Sequence, residues 1–108
     1  MELKVIQSAE PKIHPTAVID PTAILHKNVV IGPYAVIGEN CEIGEGSIIG
    51  AHAVIAKNVR MGKENHIYPH AVIGEDPQDL KFHDEYSTVV IGDHNLIREY
   101  VTIHRATG

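Results

Sequence analysis

Residues 31–60 read IGPYAV, IGENCE, IGEGSI, IGAHAV and IAKNVR, five blocks of six laid end to end. Every block opens on Ile, the next place is Gly in four of the five, and the fifth place is mostly small: Ala35, Cys41, Ser47 and Ala53. The frame extends upstream to Ile13 through IHPTAV, IDPTAI and LHKNVV, and downstream through MGKENH, IYPHAV and IGEDPQ. Residues 79–90 break it, and it resumes at Ile91 as IGDHNL, IREYVT and IHRATG. Over these fourteen hexads the first place holds twelve Ile, Leu25 and Met61. Chance alone would fill every first place with such residues roughly once in ten million trials.

A period of six suits neither a helix, which repeats at 3.6, nor a plain strand, which alternates at 2. It fits a short extended stretch followed by a corner. Pro11, Pro15, Pro21, Pro33, Pro69 and Pro77 are spread along the chain, and no segment carries a helical apolar stripe. Three such stretches close one triangular turn of eighteen residues. Successive turns then stack with parallel hydrogen bonding, about 4.8 Å apart. Gly in the second place is expected to tolerate tight or positive-φ backbone near the bend. The first-place aliphatics point inward, each over the one eighteen positions earlier. On that count Ile13, Ile31, Ile49, Ile67 and Ile103 form one stack, because the break from Ile73 to Ile91 spans three whole hexads. The expected fold is therefore all-β: a parallel β-helix of about five coils over residues 13–108, with a lead-in at 1–12 and one loop insertion at about 76–90.

The composition agrees. Fifteen Ile and eleven Val stand against one Phe, four Tyr and no Trp in 108 residues, a core of narrow β-branched side chains. Nine Lys+Arg against 14 Asp+Glu give a net charge of −5, which argues against a nucleic-acid binder. The lone Cys41 excludes an internal disulfide and a CxxC-type zinc site. No apolar run reaches the length of a membrane span or a secretory leader, so the expected placement is cytoplasmic.

The [LIV]-G-x-x-A-x hexads resemble the hexapeptide-repeat transferases, whose fold is a left-handed parallel β-helix. Handedness rests on that resemblance, since general crossover rules favour the right hand. Two stretches are more selective: IGEDPQDLKF at 73–82 and IGDHNLIREYVTIHRATG at 91–108. Together they are similar to the acyl-ACP:UDP-N-acetylglucosamine O-acyltransferases that begin lipid A synthesis. The resemblance implies a homotrimer with active sites in clefts between subunits. It implies transfer of a 3-hydroxyacyl chain from acyl carrier protein to the sugar 3-hydroxyl, with a histidine as general base. No metal or bound cofactor is required. In that family the catalytic histidine lies beyond the equivalent of Gly108, so this stretch is expected to be an N-terminal portion that is inactive alone. With no evident cap after Gly108, stacking or aggregation at that end is expected.

The resemblance places Asp79 on substrate hydroxyls and Lys81 on polar or phosphate oxygens, with Gln78 beside them. Spacing alone is equally served by a solvated loop carrying a surface ion pair. Of the eight histidines, none takes the first place of a hexad, and His104 is the best placed for the cleft. Arg98 and Arg105 join Lys81 as cations that could face a phosphate, or they form ordinary surface pairs. Two other readings stay open. A γ-type carbonic anhydrase would use the histidines for zinc between subunits, and a structural solenoid would use nothing.

Overall fold

An inward aliphatic every six residues and a corner after it leave only a short paired stretch on each face. The computed structural model describes residues 9–75 and 88–104. Among them the strands run β1 (Lys12–Ile13), β2 (Val18–Ile19), β3 (Ile24–Leu25), β4 (Val30–Ile31) and β5 (Val36–Ile37). There follow β6 (Glu42–Ile43), β7 (Ile48–Ile49), β8 (Val54–Ile55), β9 (Val59–Met61) and β10 (His66–Ile67). The last are β11 (Val72–Glu75), β12 (Val89–Ile91), β13 (Leu96–Ile97) and β14 (Thr102–His104). They build three parallel sheets: a first face of β1-β4-β7-β10-β13, a second of β2-β5-β8-β11-β14 and a third of β3-β6-β9-β12. The chain is a left-handed parallel β-helix. Among the described residues no helix is long and apolar enough to cross a membrane.

Register steps by one coil of eighteen: Ile13 pairs with Ile31, Ile31 with Ile49 and Ile49 with Ile67. The side chains of Ile31, Ile37, Ile43, Ile49, Ile55, Ile67 and Ile73 are fully buried, and Ala35, Ala53 and Ala71 fill the corners beside them.

Above Ile67 the expected stack fails. Ile67 pairs with Ile97, not Ile103, and Ile103 lies over Ile73 on the second face. Met61 receives Ile91 on the third face. From Ile73 on the second face to Ile91 on the third is eighteen positions, twelve more than one hexad. Counting them as hexads kept the six-residue phase but lost the face, because an excursion from a corner returns to the next face in turn. The strand also resumes at Val89, within the span assigned to the loop, where Val89 and Val90 pair with Val59 and Arg60.

Of the two roles expected of second-place glycine, close approach is the common one. Positive φ falls mainly at the fourth place, on Asn28, Tyr34, Asn40, Gly46, His52, Asn58, Glu64, His70, His94 and Tyr100. Second-place Gly instead serves close stacking: a Cβ on Gly44 would collide with the carbonyl oxygen of Gly62 in the coil above.

Two fifth places, Ser47 and Asn65, are polar yet buried. Asn65 donates through Nδ2 to the carbonyls of Gly62 (3.1 Å) and Gly92 (2.7 Å), and its Oδ1 accepts the Asn95 N–H (2.8 Å). The Asn65 N–H donates to Ser47 Oγ (3.1 Å). This ladder ties three coils together at the corner after the third face and leaves no polar atom of Asn65 wanting, as burial demands.

Candidate functional site

The excursion leaves the column at the end of β11. Ile73 pairs with Ile103, but Glu75 then pairs with His104, so a β-bulge sits at Gly74. Gly74 has φ +89°, and a Cβ there would come within 2.6 Å of Val59 Cγ2. Only glycine takes this backbone and this approach without strain. The bulge turns the chain outward at the corner between the second and third faces. It re-enters at β12, where the Val89 N–H donates to the Asn58 carbonyl at 3.1 Å.

Of the nominated residues, Gln78, Asp79 and Lys81 lie outside the described residues, as does Arg105. His104 is described: it is exposed and its backbone stands level with Glu75 where the loop begins. The structure thus sets His104 at the root of the excursion that carries the other three in sequence.

Arg98 takes the surface-pair alternative. Its guanidinium lies 4.6 Å from the centroid of the Tyr68 ring, and its Nε donates to Glu99 Oε1 at 3.0 Å. That hydrogen bond with Glu99 holds the guanidinium more firmly protonated than usual. The Glu99 carboxyl is pushed below its ordinary range, first by its own backbone N–H and then by Arg98. Tyr68 is also stacked on His66 at 4.2 Å. Cys41 is buried and free, and burial pushes its thiol up, which suits packing rather than chemistry.

Asn58 was not singled out by sequence reasoning. It sits beneath the loop root with φ 57° and is only 8% exposed; its N–H donates to the Glu39 carbonyl at 3.0 Å. Its Oδ1 has no hydrogen-bond partner among the described residues. The available signal was an Asn at the fourth place, immediately before the only Val-Arg-Met strand.

The described histidines are dispersed over the three faces and their corners, as their places in the hexads require. His26 Nε2 meets Glu42 Oε2 at 2.7 Å beside an open groove of about 310 Å³ on the third face. His52 and His70 stack on each other at the corner after the first face. Among the described residues no three His, Cys, Asp or Glu side chains of one chain gather to hold a metal.

The bacterial transferase hexapeptide (six repeats) model matches residues 10–44, 22–57 and 40–75. No curated protein matches the chain. Among solved structures, it is similar to the UDP-N-acetylglucosamine O-acyltransferase (LpxA) of Moraxella catarrhalis, with 48% identity and a TM-score of 0.86 over 88% of this chain and 37% of that one. LpxA from Acinetobacter baumannii gives 44% identity and 0.86, again over 88% and 37%. LpxA of Bacteroides fragilis, a UDP-N-acetylglucosamine acyltransferase, gives 49% identity and 0.83, with the same coverage. The chain spans 37% of the length of these proteins. The family model accounts for the repeat from residue 10 to residue 75, and the coils, inward Ile stacks and second-place glycines are those of such a repeat: the chain belongs to the bacterial transferase hexapeptide family.

Proposed function

We propose that this chain is part of an O-acyltransferase that moves a 3-hydroxyacyl group from acyl carrier protein to the 3-hydroxyl of UDP-N-acetylglucosamine, the first step of lipid A synthesis. One observation carries the reading. A scaffold that overlays UDP-N-acetylglucosamine O-acyltransferases at 0.86 releases its loop at a glycine bulge beside His104, and that loop bears Gln78, Asp79 and Lys81.

The chemistry asks for three things. The sugar hydroxyl needs a base to take its proton as it attacks the thioester carbonyl. The developing oxyanion needs donors, and the sugar nucleotide needs to be held in line. In this reading the base is a histidine beyond Gly108. The present residues supply the holding: Asp79 accepts from sugar hydroxyls, Lys81 neutralises polar or phosphate oxygens, and His104 and Gln78 border them. No metal or bound cofactor takes part, because the acyl donor brings its own activated thioester. In the same reading the reaction takes place in the cytoplasm.

The assembly is a homotrimer in the same reading. Outward residues on the first face include Val30, Ile48 and Leu96, and those on the second Val18, Val36, Val54 and Val72. The third face presents Ile24, Glu42, Arg60 and Val90, with Glu42 and Arg60 adjacent in register. The second face has the longest run of outward apolar residues, which suits contact between copies through that face.

The test is binding of 3-O-acylated UDP-N-acetylglucosamine, followed by calorimetry. Asp79→Ala and Lys81→Ala should each weaken it about tenfold, the effect of losing a hydrogen bond to a charged group. Equal affinity in wild type and both variants overturns the proposal.

A further inference from the structure

Asn40 and Asn58 hold the same place of adjacent coils, at the corner between the second and third faces, and both have φ 57°. Asparagine tolerates that left-handed backbone better than most residues. Their surroundings differ. Asn40 is exposed under a regular coil, and its N–H donates to Thr22 Oγ1 at 2.8 Å. Asn58 is 8% exposed, and above it the column is interrupted. On one side the chain leaves. A Cβ on Gly74 would lie 2.6 Å from Val59 Cγ2, 3.3 Å from the Lys57 carbonyl oxygen and 3.6 Å from Ala56 Cβ. The departing strand therefore presses on the residues that flank Asn58. On the other side the chain returns. The Val89 N–H donates to the Asn58 carbonyl at 3.1 Å, and the half-buried Thr88 precedes it. Asn58 thus stands between the two ends of the excursion.

One group there is left over. Asn58 Oδ1 is sealed from water and has no hydrogen-bond partner among the described residues. An amide oxygen in that state bears its full desolvation cost, and buried polar groups are nearly always paired. Left-handed backbone alone does not require the amide, since glycine takes it freely.

We propose that Asn58 is a positioning residue for the loop. Its carbonyl holds the returning strand, and its Oδ1 is the acceptor for one N–H or O–H donor at the loop root. Fixing the root sets where Gln78, Asp79 and Lys81 are presented, so Asn58 acts on the substrate through them. This rests on the sugar-nucleotide reading of those three residues. A loop that is set only about a tenth of the time binds about tenfold more weakly, because apparent affinity falls with the competent fraction.

The experiment compares the full chain with Asn58→Gly, Asn58→Asp and Asn40→Gly. It reads hydrogen exchange at the Val89 amide against the core amides of Val36 and Val54, and affinity for 3-O-acylated UDP-N-acetylglucosamine by calorimetry. Asn58→Gly should speed exchange at Val89 and weaken binding, each about tenfold, with Val36 and Val54 unchanged. A merely structural loss would speed all three amides. Asn40→Gly should change neither exchange at Val89 nor affinity. An unpartnered carboxylate sealed in this place would cost far more than an amide, so Asn58→Asp is tolerated only where a donor meets it. It should keep wild-type protection and affinity, and it is read whether or not Asn58→Gly folds. Loss of Val89 protection in Asn58→Asp overturns the inference, as does an Asn58→Gly chain that matches wild type or Asn40→Gly. A wild-type chain that does not bind the acylated sugar nucleotide overturns the proposed function instead, and exchange at Val89 still decides whether Asn58 holds the loop root.

Discussion

Ile49 and Ile13 occupy the same place in the repeat, on the same face of the column, and meet different fates. Ile49 is fully buried, whereas Ile13 is 44% exposed. Ile49 has Ile31 on one side and Ile67 on the other; the described stack has only Ile31 beside Ile13. The same contrast separates Ile37, Ile43 and Ile55 from the half-buried Ile19, Leu25, Ile91, Ile97 and Ile103. Burial in a solenoid is therefore supplied by neighbouring coils, and position in the column outweighs position in the hexad.

The sharpest way to break this comparison is truncation at the two isoleucines. Ile49→Ala should cost about 2–5 kcal/mol, and Ile13→Ala less than about 1 kcal/mol, in urea unfolding. Equal losses would mean that the hexad, rather than the stack, decides. Glycines sharpen it next. Gly74→Ala meets Val59 in a positive-φ bulge and should cost about 1–3 kcal/mol by the same measurement. Gly92 has open space around it and no positive φ, so Gly92→Ala should be neutral or stabilising by up to about 1 kcal/mol.

Polar corners follow. Asn65→Ala takes away the Asn65 partner of the Gly92 carbonyl and of the Asn95 N–H, while the Gly62 carbonyl keeps the Ser47 hydroxyl, and should cost about 1–3 kcal/mol. Asn95 bonds through its own Nδ2 only to the Asp93 carbonyl at 3.3 Å in an exposed setting, so Asn95→Ala should change stability by less than about 0.5 kcal/mol. The smallest effect concerns Asp20. The Thr22 hydroxyl at 2.7 Å and then the Thr22 N–H at 2.9 Å hold its carboxyl below its ordinary range. A depressed carboxylate adds stability at neutral pH and loses it as pH falls through the folded value. The wild-type melting temperature should therefore fall slightly more than that of Asp20→Asn in the acid range, and two parallel curves would show that the contact adds nothing.

Much of this was legible in the residues. The first-place Ile series announced the inward stack, and small fifth places such as Ala35 and Ala53 announced the corners. What misled was arithmetic across the break: residues 79–90 preserve the phase of six, and nothing in a count of hexads says on which face the chain returns. Ile103 was therefore placed over Ile67 when it lies over Ile73. The glycines left a choice open for a related reason. A preference for Gly in the second place is visible in the sequence, but crowding from the coil above and a positive φ leave the same mark. In the candidate site, His104 was legible as a neighbour of the loop through the resemblance. Asn58 was not, because its burial under the loop root comes from residues far along the chain.

The order of residues alone determined the period, the inward side chains and the parallel stacking, because each of these follows from spacing within six positions. The tertiary structure decided which coil lies over which after the loop, which isoleucines are sealed from water, and that the rings of Tyr34, His52, His70 and Tyr100, eighteen to thirty positions from one to the next, form one ladder. Those features depend on contacts between coils, and a chain carries no local record of where it will be when it comes round again.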